Sequence, residues 1–200
     1  MTSYTNRKTN DLVKLSLFVA IIILQSWVPL LGYIAIPPLS ITFIQVTVIV
    51  ATLWLGIGQG MVVGFTWGLN SLIRAYVMPT SPLYIYVFRS PLVTILPRIL
   101  MPLVVGLVAH YLLKNRVNWR AKAMISGIIG SLLNTVLVLG AIALFRRNEY
   151  MSIQGASLDT LWTVLGGIVL VNGIPEIIAS AILTPAILLA LRGRDKSSTK

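Results

Sequence analysis

Six long apolar segments, separated by short stretches rich in glycine, proline or charge, dominate the sequence. They cover residues 12–31, 39–56, 60–77, 91–113, 122–145 and 158–191. A helix that crosses a bilayer needs about 20 mostly apolar residues. We therefore expect an all-α membrane protein with six transmembrane helices in one bundle. Residues 1–200 are expected to form one integral-membrane domain, with cytoplasmic tails at about 1–11 and 192–200.

The composition argues against a soluble protein and against an enzyme. Of the 200 residues, 56% are hydrophobic and 10% are charged, whereas soluble domains carry about 25% charged residues. The chain has no cysteine and one histidine, His110, so we expect no metal site. It has no G-x-x-x-x-G-K-[ST] phosphate loop, and no serine–histidine–acid set can be placed around His110. We therefore expect no bound cofactor.

Lys and Arg residues cluster around the start of the first segment, from the end of the fourth to the start of the fifth, and after the sixth. Eleven of the 16 lie there, and with six spans all three places are on one side of the membrane. The positive-inside rule then predicts that both termini are cytoplasmic. Because this topology explains the net charge of +11, we expect no binding of nucleic acid.

Prolines predict two interruptions of the helices. Pro37 and Pro38 indicate a turn between the first two segments. The sixth segment is too long for one straight span, and Pro175 predicts a kink or break at residues 172–176.

The third segment contains a stripe of small residues at Gly60, Gly64 and Gly68. Such stripes let helix backbones approach closely in lipid. The stripe therefore predicts that the third helix lies at the centre of the bundle.

Three charged residues, Arg74, Arg98 and Glu176, lie inside the apolar segments and at least three residues from their ends. A charge at the bilayer centre costs roughly 2.5–3.5 kcal/mol on insertion scales, so such residues usually pair or face a polar cavity. Two positive charges against one negative leave a surplus that an anionic ligand would neutralise. Two alternatives stay open: Arg74 extends to the outer headgroups, or Arg98 pairs with Glu176.

Two asparagines, Asn134 and Asn172, fall near the middle of their segments. An amide rarely faces lipid. Either they hydrogen-bond between helices, or they line a polar cavity together with Gln45 and Gln25. Asn172 also lies at the predicted helix break, and in transporters the unwound backbone at such a break can bind ligands.

Trp67 and Asn70 share one helical face with Arg74 and belong to the same candidate binding site. Aromatic residues at the outer interface either anchor helices in the membrane or form a lid. These are Trp27, Tyr33, Tyr84 and Tyr86.

The first segment carries Ser16 and Ala20, a second small-xxx-small pair. This pair indicates either packing within the bundle or docking onto another membrane protein.

This layout resembles the substrate-binding (S) components of energy-coupling factor (ECF) vitamin transporters. The stretches that look like the pantothenate-type members are residues 31–36, 67–75, 79–82, 96–100, 130–135 and 172–176. The resemblance implies a multi-pass protein of a bacterial plasma membrane that captures a vitamin in an outward-facing pocket. It also implies a transmembrane scaffold partner and two cytoplasmic ATPases that use ATP and Mg. Docking would involve small residues on the first helix, here Ser16 and Ala20.

The surplus of positive charge favours pantothenate, a carboxylate, as the vitamin. Arginine suits a carboxylate because its guanidinium donates two parallel hydrogen bonds, so Arg98, assisted by Arg74, is the expected partner. Pyridoxine or hydroxymethylpyrimidine remain alternatives if Glu176 neutralises Arg98. Two rival functions stay open: a self-sufficient ion-coupled transporter, and a membrane assembly factor that binds no small molecule.

Overall fold

The computed structural model of the protein describes residues 2–28, 30–34, 41–113, 116–155 and 158–197. Within them the chain is mostly helical, with one short antiparallel hairpin in which Tyr33 pairs with Thr42. The strands are β1 (Tyr33–Ile34) and β2 (Ile41–Thr42). The helices are α1 (Thr2–Trp27), α2 (Ile44–Leu55), α3 (Ile57–Val77), α4 (Pro82–Tyr86), α5 (Pro91–Thr94), α6 (Leu96–Leu107), α7 (Trp119–Phe145), α8 (Arg147–Gln154), α9 (Leu158–Ile168) and α10 (Ile174–Ser197).

Four helical stretches of the described chain are long and apolar enough to cross a membrane. They correspond to the first, fourth, fifth and sixth predicted segments, and they confirm a helical membrane protein. The second predicted span is α2, whose 12 residues extend only about 18 Å. The third is α3, which is less apolar than these four stretches. Six spans and cytoplasmic termini remain predictions. The four stretches are Thr9–Trp27, Pro91–Leu112, Trp119–Phe145 and Thr163–Gly193.

The first helix begins earlier than predicted, at Thr2 rather than at residue 12. Residues 2–27 contain neither glycine nor proline, so nothing stops the helix where the sequence becomes polar. The turn predicted at Pro37 and Pro38 lies outside the described residues.

The centre of the bundle is α2, and the prediction that α3 lies there is wrong. Residues 44–52 of α2 are all buried, as expected for a helix surrounded on every side. In contrast, α3 buries one face and exposes Val62, Phe65 and Leu69 on the other. The close packing predicted from its glycines is present, since a Cβ at Gly60 would collide with Thr52 of α2.

Two π-helical turns are present: Val108–Leu112 ends the helix that begins with α6, and Val169–Gly173 joins α9 to α10. The second lies where a kink or break was predicted, and the chain stays helical through it into α10. Pro175 has no backbone N–H and its ring clashes with the carbonyl four residues earlier in a regular helix. A widened turn just before it accommodates this proline without unwinding the chain, and such turns frequently occur at functional sites.

Candidate functional site

A polar cavity lies between the hairpin and helices α3, α6, α7 and α10. The space open in it to the centres of water molecules measures about 80 Å³. Residues far apart in the sequence meet there, including six of the nine predicted to bind a ligand. These six are Tyr33, Trp67, Arg98, Asn134, Asn172 and Glu176.

Arg98 is the buried cation of the polar cavity, with only 7% of its surface exposed. Its Nη1 donates to the Val93 carbonyl at 2.7 Å, and its guanidinium carbon lies 5.0 Å from the centre of the Trp67 ring. Its Nε has no hydrogen-bond partner among the described residues. Since a guanidinium carries five N–H donors, Arg98 keeps donor capacity for a ligand.

The backbone that carries Arg98 is fixed by the glycine stripe of α3. A Cβ at Gly64 would collide with the Arg98 carbonyl, and one at Gly68 would approach the Ile95 Cα to 2.8 Å. Only glycine permits this approach of α3 to the chain around the start of α6. The stripe therefore holds Arg98 beside Trp67.

Glu176 is the one carboxylate in the wall of the polar cavity, among the described residues. Its Oε1 accepts a hydrogen bond from the Thr42 backbone N–H at 2.7 Å, and its Oε2 accepts one from Gln45 Nε2 at 3.4 Å. No N–O distance to Arg98 is within 4.0 Å in the described structure. The alternative in which Arg98 and Glu176 form a direct ion pair is therefore not found.

The two predicted asparagines lie in the wall, nearly fully buried. Asn134 belongs to α7, and Asn172 to the π-helical turn before α10. The Oδ1 of Asn134 accepts no hydrogen bond from any described residue. Because leaving a buried polar group unpaired costs about 1–3 kcal/mol, this oxygen is suited to a donor from a bound molecule.

Asn70 and Arg74 are near the polar cavity but do not line it. Asn70 faces α1, where its Oδ1 accepts a hydrogen bond from Trp27 Nε1 at 2.8 Å. Arg74 stacks on the ring of Tyr33 at 4.8 Å, and the Tyr33 hydroxyl accepts from Trp67 Nε1 at 3.0 Å. Arg74 thus supports the aromatic side of the cavity from behind, whereas Asn70 links α3 to α1.

Gln45 also lies behind the wall, fully buried on α2. Its Nε2 donates to Ser131 Oγ at 2.8 Å, besides its bond to Glu176, so it positions the carboxylate. Gln25 does not line the cavity either, since its Oε1 accepts from Thr47 Oγ1 at 2.9 Å.

The rest of the wall was not predicted as a binding site. Tyr84 appeared in the sequence analysis only as an interfacial aromatic. The others are uncharged threonines and apolar residues. In a sequence, such a residue looks the same whether it faces a cavity, a neighbouring helix or lipid. These wall residues are Thr42, Tyr84, Phe88, Thr135, Val138, Leu139 and Ile168.

The polar cavity has the composition of a binding site for a small polar molecule. It combines a fixed guanidinium, a carboxylate with both oxygens engaged, two amides and an aromatic and aliphatic wall, which is the usual composition of a ligand pocket. The described residues contain no cluster of three or more side chains able to hold a metal ion. Such an arrangement has the groups to bind a molecule by charge and hydrogen bonding.

Comparison with known proteins agrees with this chemistry. The model of the family described as "ECF transporter, substrate-specific component" matches residues 10–188. A pantothenate transporter PanT from Leuconostoc mesenteroides subsp. mesenteroides is 34% identical over 193 residues, which cover 92% of each chain. A pantothenic acid transporter PanT from Lactococcus lactis subsp. cremoris is 30% identical over 205 residues, which cover 95% of this chain and 98% of that one.

These matches extend over nearly the whole chain, as the sequence resemblance implied. Together with the apolar helices, they make the chain a multi-pass protein of a bacterial plasma membrane and a transport component rather than an enzyme. The chain belongs to the family of substrate-specific components of ECF transporters.

Proposed function

We propose that the chain is a capture subunit for pantothenate and that the vitamin binds in the polar cavity. The observation that carries the proposal is Arg98, a buried guanidinium with an unused donor and no acid within 4.0 Å among the described residues. A carboxylate ligand supplies the missing negative charge through charge-assisted hydrogen bonds. The two relatives named as pantothenate transporters support the same ligand.

The remaining wall residues suit the rest of the molecule. Pantothenate carries hydroxyls, one amide and a pair of methyl groups. Asn134 and Asn172 offer amide donors and acceptors to the polar groups, and Trp67 with Val138 offers apolar surface to the methyl groups. Each Glu176 oxygen keeps a free lone pair and would accept a hydrogen bond from a hydroxyl group at the end of the vitamin away from its carboxylate.

We further propose that the chain hands the vitamin to an ATP-driven ECF module. The module would consist of a transmembrane scaffold and two cytoplasmic ATPases, which bind the ATP and Mg while this chain binds no cofactor. The chain would work as one domain, with six membrane-spanning segments and both termini in the cytoplasm. Family membership supports the coupling, and the distribution of Lys and Arg supports the orientation.

Equilibrium binding of pantothenate to the purified protein tests the ligand. We expect saturable binding that pyridoxine, hydroxymethylpyrimidine, thiamine and folate do not displace. Binding of a neutral vitamin instead would keep the family but reject the anionic ligand. If the protein binds none of these vitamins, the result would favour a membrane assembly factor.

Ser16→Trp tests the coupling separately from the ligand. Ser16 and Ala20 are exposed on α1, so a bulky residue there blocks a partner without reaching the polar cavity. We expect uptake in cells to be lost while binding is unchanged, and Val136→Trp, at an exposed position of α7, to leave both intact. Uptake by the chain alone in proton-gradient vesicles, without ATPases, would favour the ion-coupled rival.

A further inference from the structure

A second cavity, here called the basic cavity, lies at the opposite end of the bundle, where α2, α6, α7 and α10 come together. The space open in it to the centres of water molecules measures about 200 Å³, which is larger than in the polar cavity. Its wall contains Lys122, Arg192 and His110, together with Trp54 and Trp119. The function proposed above does not use any of these residues.

Positive charge is concentrated at the basic cavity, and no carboxylate is among the described residues of its wall. Lys122 is in the first turn of α7 and Arg192 is in the last turns of α10. Neither forms an ion pair within 4.0 Å with any described side chain. Lys14 adds a third cation, since its Nζ lies 5.9 Å from the centre of the Trp54 ring.

Tryptophan rings hold two of these three cations, Arg192 and Lys14. The Arg192 guanidinium lies 4.7 Å from the centre of the Trp119 ring, a distance at which the aromatic face attracts a cation. Tryptophan is also the side chain that concentrates at the level of lipid headgroups. The wall is thus a cationic and aromatic surface, which is the composition typical of a membrane interface.

We propose that the basic cavity binds a phosphate group, and that the phosphate belongs to the headgroup of an anionic phospholipid. Lys122 and Arg192 would pair with the phosphate oxygens, as basic pockets between helices do on the cytoplasmic side of membranes. Apolar wall residues next to them, Leu53 and Leu188, would contact the first carbons of the lipid. A soluble phosphate offers the same oxygens, so the test separates the two sources.

The test uses the delipidated full chain in a neutral detergent. Quenching of tryptophan fluorescence by dibromo-phosphatidylglycerol is compared with quenching by dibromo-phosphatidylcholine. The test variant is Lys122→Gln/Arg192→Gln. The matched control is Arg116→Gln/Arg147→Gln, which removes the same charge from exposed residues that do not line the cavity.

We expect the wild type to prefer phosphatidylglycerol. A hydrogen bond to a charged group changes affinity by at least about tenfold, so the test variant, which loses two direct partners of the phosphate, should bind about 100-fold more weakly. The control removes charges outside the cavity and should lose less than about threefold. The charge-preserving variant Lys122→Arg/Arg192→Lys should restore binding. Displacement of the lipid by inorganic phosphate, but not by chloride at equal ionic strength, would support the phosphate site with a soluble source.

Equal losses in the two Gln variants, or none in either, would overturn the proposal. Pantothenate binding should stay unchanged in all variants, because the described walls of the polar cavity and the basic cavity have no residue in common. This readout shows that each variant is folded. It also keeps failure of the lipid site distinct from failure of the vitamin site.

Discussion

The polar cavity and the basic cavity share a plan but differ in how their arginines are held. Each lies next to a π-helical turn, and each stacks an arginine on a tryptophan, Arg98 on Trp67 and Arg192 on Trp119. Arg98 is buried and hydrogen-bonded to backbone, whereas Arg192 is exposed. A buried, fixed guanidinium selects a ligand by geometry, while an exposed one mainly contributes charge, which salt screens.

The acid is the second difference between the two cavities. Glu176 faces the ligand space of the polar cavity, and no carboxylate lines the basic cavity in the described structure. An acid opposite the arginine disfavours ligands that are negative along their whole length. The polar cavity is therefore suited to a molecule with one anionic end and one hydroxyl-rich end, and the basic cavity to a phosphate.

Arg98→Ala is expected to have the largest effect on pantothenate affinity, and so to separate the two cavities most clearly. Loss of a hydrogen bond to a charged group costs about 1.5–3 kcal/mol, so pantothenate affinity should fall about 10- to 150-fold. Isothermal titration of the purified protein measures this change. Arg192→Ala removes the stacked arginine of the other cavity and should leave pantothenate affinity unchanged. An unchanged affinity in folded Arg98→Ala would remove this arginine from the vitamin site.

Gly64→Ala is expected to have the next largest effect on pantothenate affinity. A side chain at this position would collide with backbone, which cannot move aside as a neighbouring side chain can. A Cβ at Gly64 would meet the Arg98 carbonyl, whereas one at Gly106, in the basic cavity, would meet the side chain of Ile57. Overpacking of this kind costs about 1–3 kcal/mol, so Gly64→Ala should lower thermal stability and pantothenate affinity together. Gly106→Ala should do less, since an isoleucine side chain can move. Equal losses would show that the glycine stripe does not position Arg98.

Glu176→Ala tests the acid that distinguishes the two cavities. The change leaves the Thr42 N–H and the Gln45 amide without their acceptor, which should cost about 1–3 kcal/mol of stability. The thermal midpoint in detergent measures it. Glu149→Ala is the control, because it removes a carboxylate from a surface ion pair with Arg146, and such pairs contribute little to stability. A midpoint unchanged in Glu176→Ala would mean that the hairpin does not depend on this carboxylate.

The sequence predicted the charged members of the site better than their neighbours. Arg98 and Glu176 were found because a charge inside an apolar segment needs a polar environment. The same reasoning placed Arg74 in the site, yet it stacks behind Tyr33. Position along a helix gives depth in the membrane, but the direction of a side chain depends on neighbouring helices that the sequence does not reveal.

The fold shows the same limit. Apolar length was enough to predict α1, α6, α7 and α10 as parts of membrane spans. The central place of α2 was missed because a helix that is buried all round has no polar face to reveal its surroundings. The hairpin was missed because strands of two residues are too short to show an alternating pattern.

The smallest effect is expected from Asn134→Ala, which tests whether the amides of the polar cavity contribute to recognition. A neutral hydrogen bond contributes about 0.5–1.5 kcal/mol, so pantothenate affinity should fall about two- to tenfold. Titration of the purified variant against wild type measures this change.

Ser126→Ala is the matched control for this prediction. Ser126 and Asn134 both lie on α7, both are buried, and neither Ser126 Oγ nor Asn134 Oδ1 has a partner among the described residues. They differ in that only Asn134 lines the polar cavity. An unpaired buried oxygen weakens the folded state wherever it lies, but it can bind vitamin only in the wall of the cavity. Asn134→Ala should therefore lose affinity and Ser126→Ala should not, and equal affinities in the two variants would limit recognition to the charged end of the ligand.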